Sequence, residues 1–140
     1  FNKSETGSAL ARRFGGPTDL DSQEVLDIAA FLRVINARDN ILETQKLLNV
    51  ATKAGFGNLA RVSEVLLQAW HETEDAILVL QGANLHPLAV TSLRRSLVEI
   101  ASSRETSLGR QSAIDKAKRL LELALIEIEE AKASAKITQR

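Results

Sequence analysis

The fold class that this sequence predicts is all-α, an up-and-down four-helix bundle behind an extended N-terminal tail. Three observations carry it. Ala, Leu, Glu, Lys, Arg, Gln and Ile dominate the 140 residues, whereas proline occurs only at Pro17 and Pro87 and aromatics are few. Apolar residues recur at alternating steps of three and four in successive segments, which is the spacing of one buried face of a helix. The segments are joined by short polar or glycine-containing connections, and short links between long helices favour antiparallel neighbours.

Residues 1–18 read as a tail or as the remnant of something upstream, and residues 19–140 as the bundle. "FNKSETGSALARRFGGP" is polar and closes on Gly15, Gly16 and Pro17, which suits a tail or surface loop better than an element. The chain starts at Phe1, not Met, with neither the basic start nor the apolar run of a secretion signal, so an upstream portion is expected.

From Asp21 the signals sharpen. Asp21 can accept from the amides of a first helical turn, Glu24 three residues on completes a capping box, and Leu20 can clasp Val25 as a hydrophobic staple. Val25, Ile28, Leu32 and Ile35 form one apolar stripe, and Leu26, Ala30, Phe31 and Val34 a second. This helix is therefore expected to bury two faces, and with no Gly or Pro to stop it, to run through Ile41, Leu48 and Ala51 to Gly55. "GFGN" then supplies a glycine stop and Asn58 as the next cap.

The second seam comprises Leu59, Val62, Leu66, Ala69, Thr73, Ala76 and Leu80. "GANLHP" ends that helix at Gly82 and places Pro87 where a first turn tolerates a missing amide donor. A shorter third seam joins Val90, Leu93, Leu97 and Ile100. Gly109 breaks the chain after it, with Ser112 followed by Asp115 as the expected cap of a last helix whose seam is Ile114, Ala117, Leu121, Ala124, Ile128, Ala131 and Ala135.

Composition excludes several functions. Eighteen basic residues balance eighteen acidic ones, with no long block of either sign to follow a phosphate backbone. No nucleic-acid partner is expected. No apolar run approaches the roughly 20 residues of a membrane span. Cysteine and methionine are absent, which removes disulfides, thiolate chemistry and the C-x-x-C-H haem attachment run. No cofactor, metal site or catalytic residue is expected within the chain itself.

The only histidines, His71 and His86, are both expected to be exposed, one opposite its seam and the other in a turn. "WHETED", Trp70 to Asp75, contains a single reversed His and Glu spacing, whereas carboxylate di-iron bundles need a Glu-x-x-His on each of two helices. An exposed histidine in mid-helix also resembles the phosphoacceptor of phosphotransfer domains, which makes His71 a candidate for that role. Its neighbours Glu72, Glu74 and Asp75 oppose it, because they repel a phosphoryl dianion.

What stands out is a surplus of apolar surface. Leu120 to Ile126 has almost no polar side, and Leu123 and Ile126, with Leu78 on the second helix, fall outside a single buried stripe. Together with Phe31 they form the candidate interaction surface, since contiguous exposed apolar residues mark association. A core wider than a strict heptad is the competing explanation.

"LDSQEVLDIAAFLRVINARDNI", Leu20 to Ile41, resembles the closing helix of a haem domain in the bacterial dihaem cytochrome c peroxidase family. Asp27 to Arg33 is the part shared with c-type cytochromes at large, and "FNKSETGSALARRFGG" resembles the loop after the last axial-ligand region of some relatives. The resemblance covers about the first 40 residues and none of the positions that bear haem ligands. It implies that residues 1–18 end an upstream haem domain carrying haem c, that the parent is periplasmic and works in electron transfer or peroxidase chemistry, and that the chain is its non-catalytic C-terminal interaction or scaffold module. The partner is then the haem domain, or a second copy in a homo-oligomer, met through the apolar helix faces. The competing reading is an independent bundle that acts in phosphotransfer through His71 or binds a small ligand between its helices.

Overall fold

The computed structural model describes residues 21–138, with Phe56 and residues 132–138 described as backbone only. The expected tail, the Leu20 staple and the seam position Ala135 therefore lie outside the described side chains. The chain divides into two units, residues 1–32 and 33–140.

In the first unit, Asp21 and the opening turns of α1 (Ser22–Ala54) are described. Asp21 Oδ1 accepts the Glu24 amide at 2.7 Å, as the capping signal predicts, and Gln23 Nε2 donates to Asp27 Oδ1 at 2.8 Å. The expectation of two buried faces does not hold here. Val25, Leu26, Ile28, Phe31 and Leu32 are all exposed. Helical spacing specifies that apolar residues share a side; it does not specify a neighbour to cover them.

The second unit is the four-helix bundle. α1 continues without a break through Asn36 to Asn40, as expected, and a 3-10 turn at Gly55–Gly57 leads to α2 (Leu59–Gly82), α3 (Pro87–Glu105) and α4 (Arg110–Thr138). α1 lies antiparallel to α4, with Arg38 Nε donating to Glu129 at 3.2 Å, Gln45 Nε2 to Glu122 at 3.3 Å and Gln111 Nε2 to Thr52 at 3.2 Å. α1 meets α2 at Thr44 and Thr73, and α3 packs against both α2 and α4. Each helix thus has two neighbours, as an up-and-down ring requires.

The core follows the predicted seams closely. Ala37, Ile41, Leu48 and Ala51 of α1 pack with Val62, Leu66, Ala69, Ala76 and Leu80 of α2, Leu93 and Ile100 of α3, and Ile114, Ala117, Leu121, Ala124 and Ile128 of α4. Ile35 is exposed although its neighbour Ala37 is fully buried. Two residues turn a helix by about 200°, so Ile35 faces away from the buried stripe that starts at Ala37.

Seams fail at their ends. Leu59 and Ala131 are exposed, because a terminal position has no full turn of a neighbour across from it, and within the third seam Leu97 is only half-buried while Ser96 beside it takes the buried position. Val65, Ile77 and Ala89 are buried beside the seams, so the core is wider than a strict heptad at these positions.

Buried hydroxyls complete it. Thr44, Thr73, Ser96 and Ser103 have no exposed surface, yet each donates to a backbone carbonyl one turn back in its own helix. Thr73 Oγ1 also lies 3.3 Å from Thr44 Oγ1 across the α1 and α2 contact. This satisfies groups that would otherwise cost a few kcal/mol each, and it lets small residues bring the helices close.

The connections are local. Asn58 Oδ1 accepts the Arg61 amide at 3.1 Å, the cap expected from the sequence, and Pro87 opens α3. Ser112 is not the cap of α4, because the helix starts two residues earlier at Arg110. Gly109, at φ +74, provides the left-handed step, and its carbonyl accepts the Ala113 amide at 3.0 Å. Arg110 Nε then donates to the Ser103 carbonyl at 2.7 Å, closing the end of α3.

Leu121→Asp is expected to unfold the bundle, since it leaves an unpaired carboxylate in the centre of the core at a cost of several kcal/mol. Helical circular dichroism and thermal melting check this. A cooperatively folded variant would show that α4 does not pack through this face.

Candidate functional site

Two polar corners and two apolar faces are candidates for contact with another molecule. The first corner is "WHETED" on α2. Its alternate members turn inward, so Thr73 is buried while His71 and Asp75 are exposed. The His71 ring meets the half-buried Trp70 edge-on, with centroids 5.3 Å apart and planes at 84°. The Glu72 carboxyl is held above the usual carboxylate range, first by burial and then by the charges of Asp75 and of Glu43 on α1. The field around this corner is negative, which favours cations and opposes a phosphoryl group on His71.

The second corner is the turn between α2 and α3. Here the sequence reading needs correction, because His86 is half-buried instead of exposed. The Leu85 amide donates to the Leu80 carbonyl at 2.8 Å and the Leu85 side chain packs against the core, which draws the next residue inward. Asn84 and His86 both take left-handed conformations, at φ 55 and φ 47, to make so short a turn. Burial lowers the His86 pKa below the usual histidine value, and the negative charge of Glu127 on α4 partly opposes this. Glu127 Oε2 is itself buried with no hydrogen-bond partner in the described structure.

Neither corner assembles a catalytic set. His71 is on α2 and His86 beyond its end, and neither hydrogen-bonds to a serine or to a carboxylate among the described residues. No group of three or more His, Asp or Glu converges among the described residues to hold a metal ion, and no described helix is long and apolar enough to cross a membrane.

The four residues expected to form the interaction surface are all exposed: Phe31 by 56%, Leu78 by 61%, Leu123 by 48% and Ile126 by 42%. The three that belong to the bundle, Leu78, Leu123 and Ile126, do not form a single patch. Phe31 belongs to the opening turns of α1 with Val25, Leu26, Ile28 and Leu32, whereas Leu123 and Ile126 share the outward side of α4. Leu78 stands on α2, whose bundle neighbours are α1 and α3 and not α4. The buried oxygen of Glu127 and the inward position of His86 had no sequence signal beyond the shortness of "GANLHP". Comparison with protein families, with curated proteins and with solved structures finds no match to this chain.

The two corners make opposite predictions for pH. His86 has a lower pKa folded than unfolded, so its contribution to stability is complete above the unfolded value near 6.5 and is lost as pH falls through the folded one. His86→Asn, which also tolerates the left-handed backbone, should flatten the thermal stability profile in that acidic window. Glu72 has a raised folded pKa, so its charge costs stability at neutral pH and the cost disappears on acidification. Glu72→Gln should raise the melting temperature slightly at pH 7 and leave it unchanged at low pH. Melting curves from pH 4 to 8 test both.

Proposed function

We propose that this chain is a non-catalytic helical interaction module, and that the opening turns of α1 are its docking face. The observation that carries this reading is the exposure of Val25, Leu26, Ile28, Phe31 and Leu32 on one short stretch of helix. Monomeric proteins rarely leave so many large apolar side chains together in water. The core of residues 33–140 closes without these side chains, so folding of the bundle does not rely on them.

The resemblance of Leu20 to Ile41 to a cytochrome closing helix gives the face a proposed partner. It is a c-type haem domain of the same parent protein, in the periplasm, where the haem domain performs electron transfer or peroxidase chemistry and the bundle acts as scaffold. Val25, Ile28, Leu32 and their neighbours, Phe31 among them, would pack behind that haem, and the haem c itself would be held entirely by residues outside this chain. The independent phosphotransfer reading through His71 is less well supported, because Glu72, Glu74 and Asp75 follow it within little more than one helical turn and carry charge that repels a phosphoryl dianion.

The test is the intact mass and absorption spectrum of the natural product that contains these residues. A Soret band with the mass of covalent haem is expected, and a haem-free natural product overturns the haem partnership. Within a haem-bearing product, Phe31→Asp should leave bundle helicity intact while lowering the temperature at which the Soret band is lost. An unchanged Soret transition would mean that Phe31 does not face the haem domain.

A further inference from the structure

We propose that the outward side of α4 is a homodimer face, on which two copies pair antiparallel across a twofold axis with Leu123 against Ile126 and Arg119 against Glu130. Arg119, Leu123, Ile126 and Glu130 are all exposed and follow one another at steps of four, three and four. At about 100° per residue these four lie within a narrow strip, directly opposite the buried strip of Ile114, Ala117, Leu121, Ala124 and Ile128. Among the described residues the strip is an exposed second face on a helix whose first face is buried in the core.

Its order is self-complementary. Leu123 and Ile126 stand on either side of a midpoint, and Arg119 and Glu130 lie four residues further out at the two ends. Running a second copy of the strip in the opposite direction places each Leu123 on an Ile126 and each Arg119 on a Glu130, twice over. A twofold axis demands this kind of pattern, in which residue i meets j and j meets i. A parallel arrangement would instead place arginine on arginine and glutamate on glutamate.

The neighbouring charges leave this strip available. Glu122 and Glu129 are turned toward α1, where they bond Gln45 and Arg38, so the acidic residues flanking the strip on that side are already engaged within the monomer. The occupant is therefore a second copy of this chain, bound through two apolar contacts and two ion pairs. Such a face is small, so the dimer is weak, with a dissociation constant of roughly tens of micromolar, and it loosens in high salt. The proposal concerns α4 alone and does not depend on the haem partnership proposed for α1.

Sedimentation equilibrium of the full 140-residue chain across a wide concentration range tests it, with circular dichroism to confirm that each variant is folded. The wild type should be a concentration-dependent dimer. Arg119→Glu and Glu130→Arg should each weaken it by roughly tenfold, since each places two like-charge pairs in the interface. The double variant should recover the wild-type affinity, and Ile126→Asp should remain a folded monomer. A monomeric wild type, single reversals without effect, or a double variant as weak as the singles would each overturn the proposal.

Discussion

Four apolar strips that cannot be covered separately are the constraint on which everything else in this molecule rests. Each helix carries one strip of large and small side chains at alternating steps, and each strip is dry only when the other three close over it. Fully burying a leucine or isoleucine contributes about 1.5–3 kcal/mol, and the bundle collects many such contributions along a common axis. The interhelical hydrogen bonds between α1 and α4 are exposed and individually weak. They report the register of the helices more than they create it.

The same constraint explains which polar groups are tolerated inside. Thr44, Thr73, Ser96 and Ser103 are small enough to let helices approach, and each satisfies its hydroxyl on the backbone of its own helix. None of them is left with an unpaired group pointing into a cavity. The polar features that remain incompletely satisfied lie at the margins, where the α2 to α3 turn carries His86 inward and Glu127 buries an oxygen without a partner.

With the interior spoken for, the proposed recognition rests on the outer faces. The opening turns of α1 and the outward strip of α4 differ in character. The first is almost wholly apolar, which suits a permanent neighbour that excludes water. The second is a short apolar centre bracketed by opposite charges, which suits a weaker and salt-sensitive association. The proposed roles of the two faces follow this difference in chemistry.

Most of the bundle was legible because helical periodicity is a local property. The steps from Val62 to Leu80 and from Ile114 to Ile128, the Asp21 and Asn58 caps and the Pro87 start each depend on residues within a turn of one another, so the chain itself dictated them. What lay beyond that range was decided by packing. Val25, Ile28, Leu32 and Ile35 read as core by the same spacing yet stand in water, because periodicity specifies a side and not a neighbour. His86 reads as a surface turn residue yet is drawn inward by Leu85, and Ser112 reads as a cap yet yields to a turn made by Gly109. The sequence by itself determined the helices and the strips they would bury; only the tertiary structure decided which strips found partners, because burial requires a second surface that no local pattern encodes.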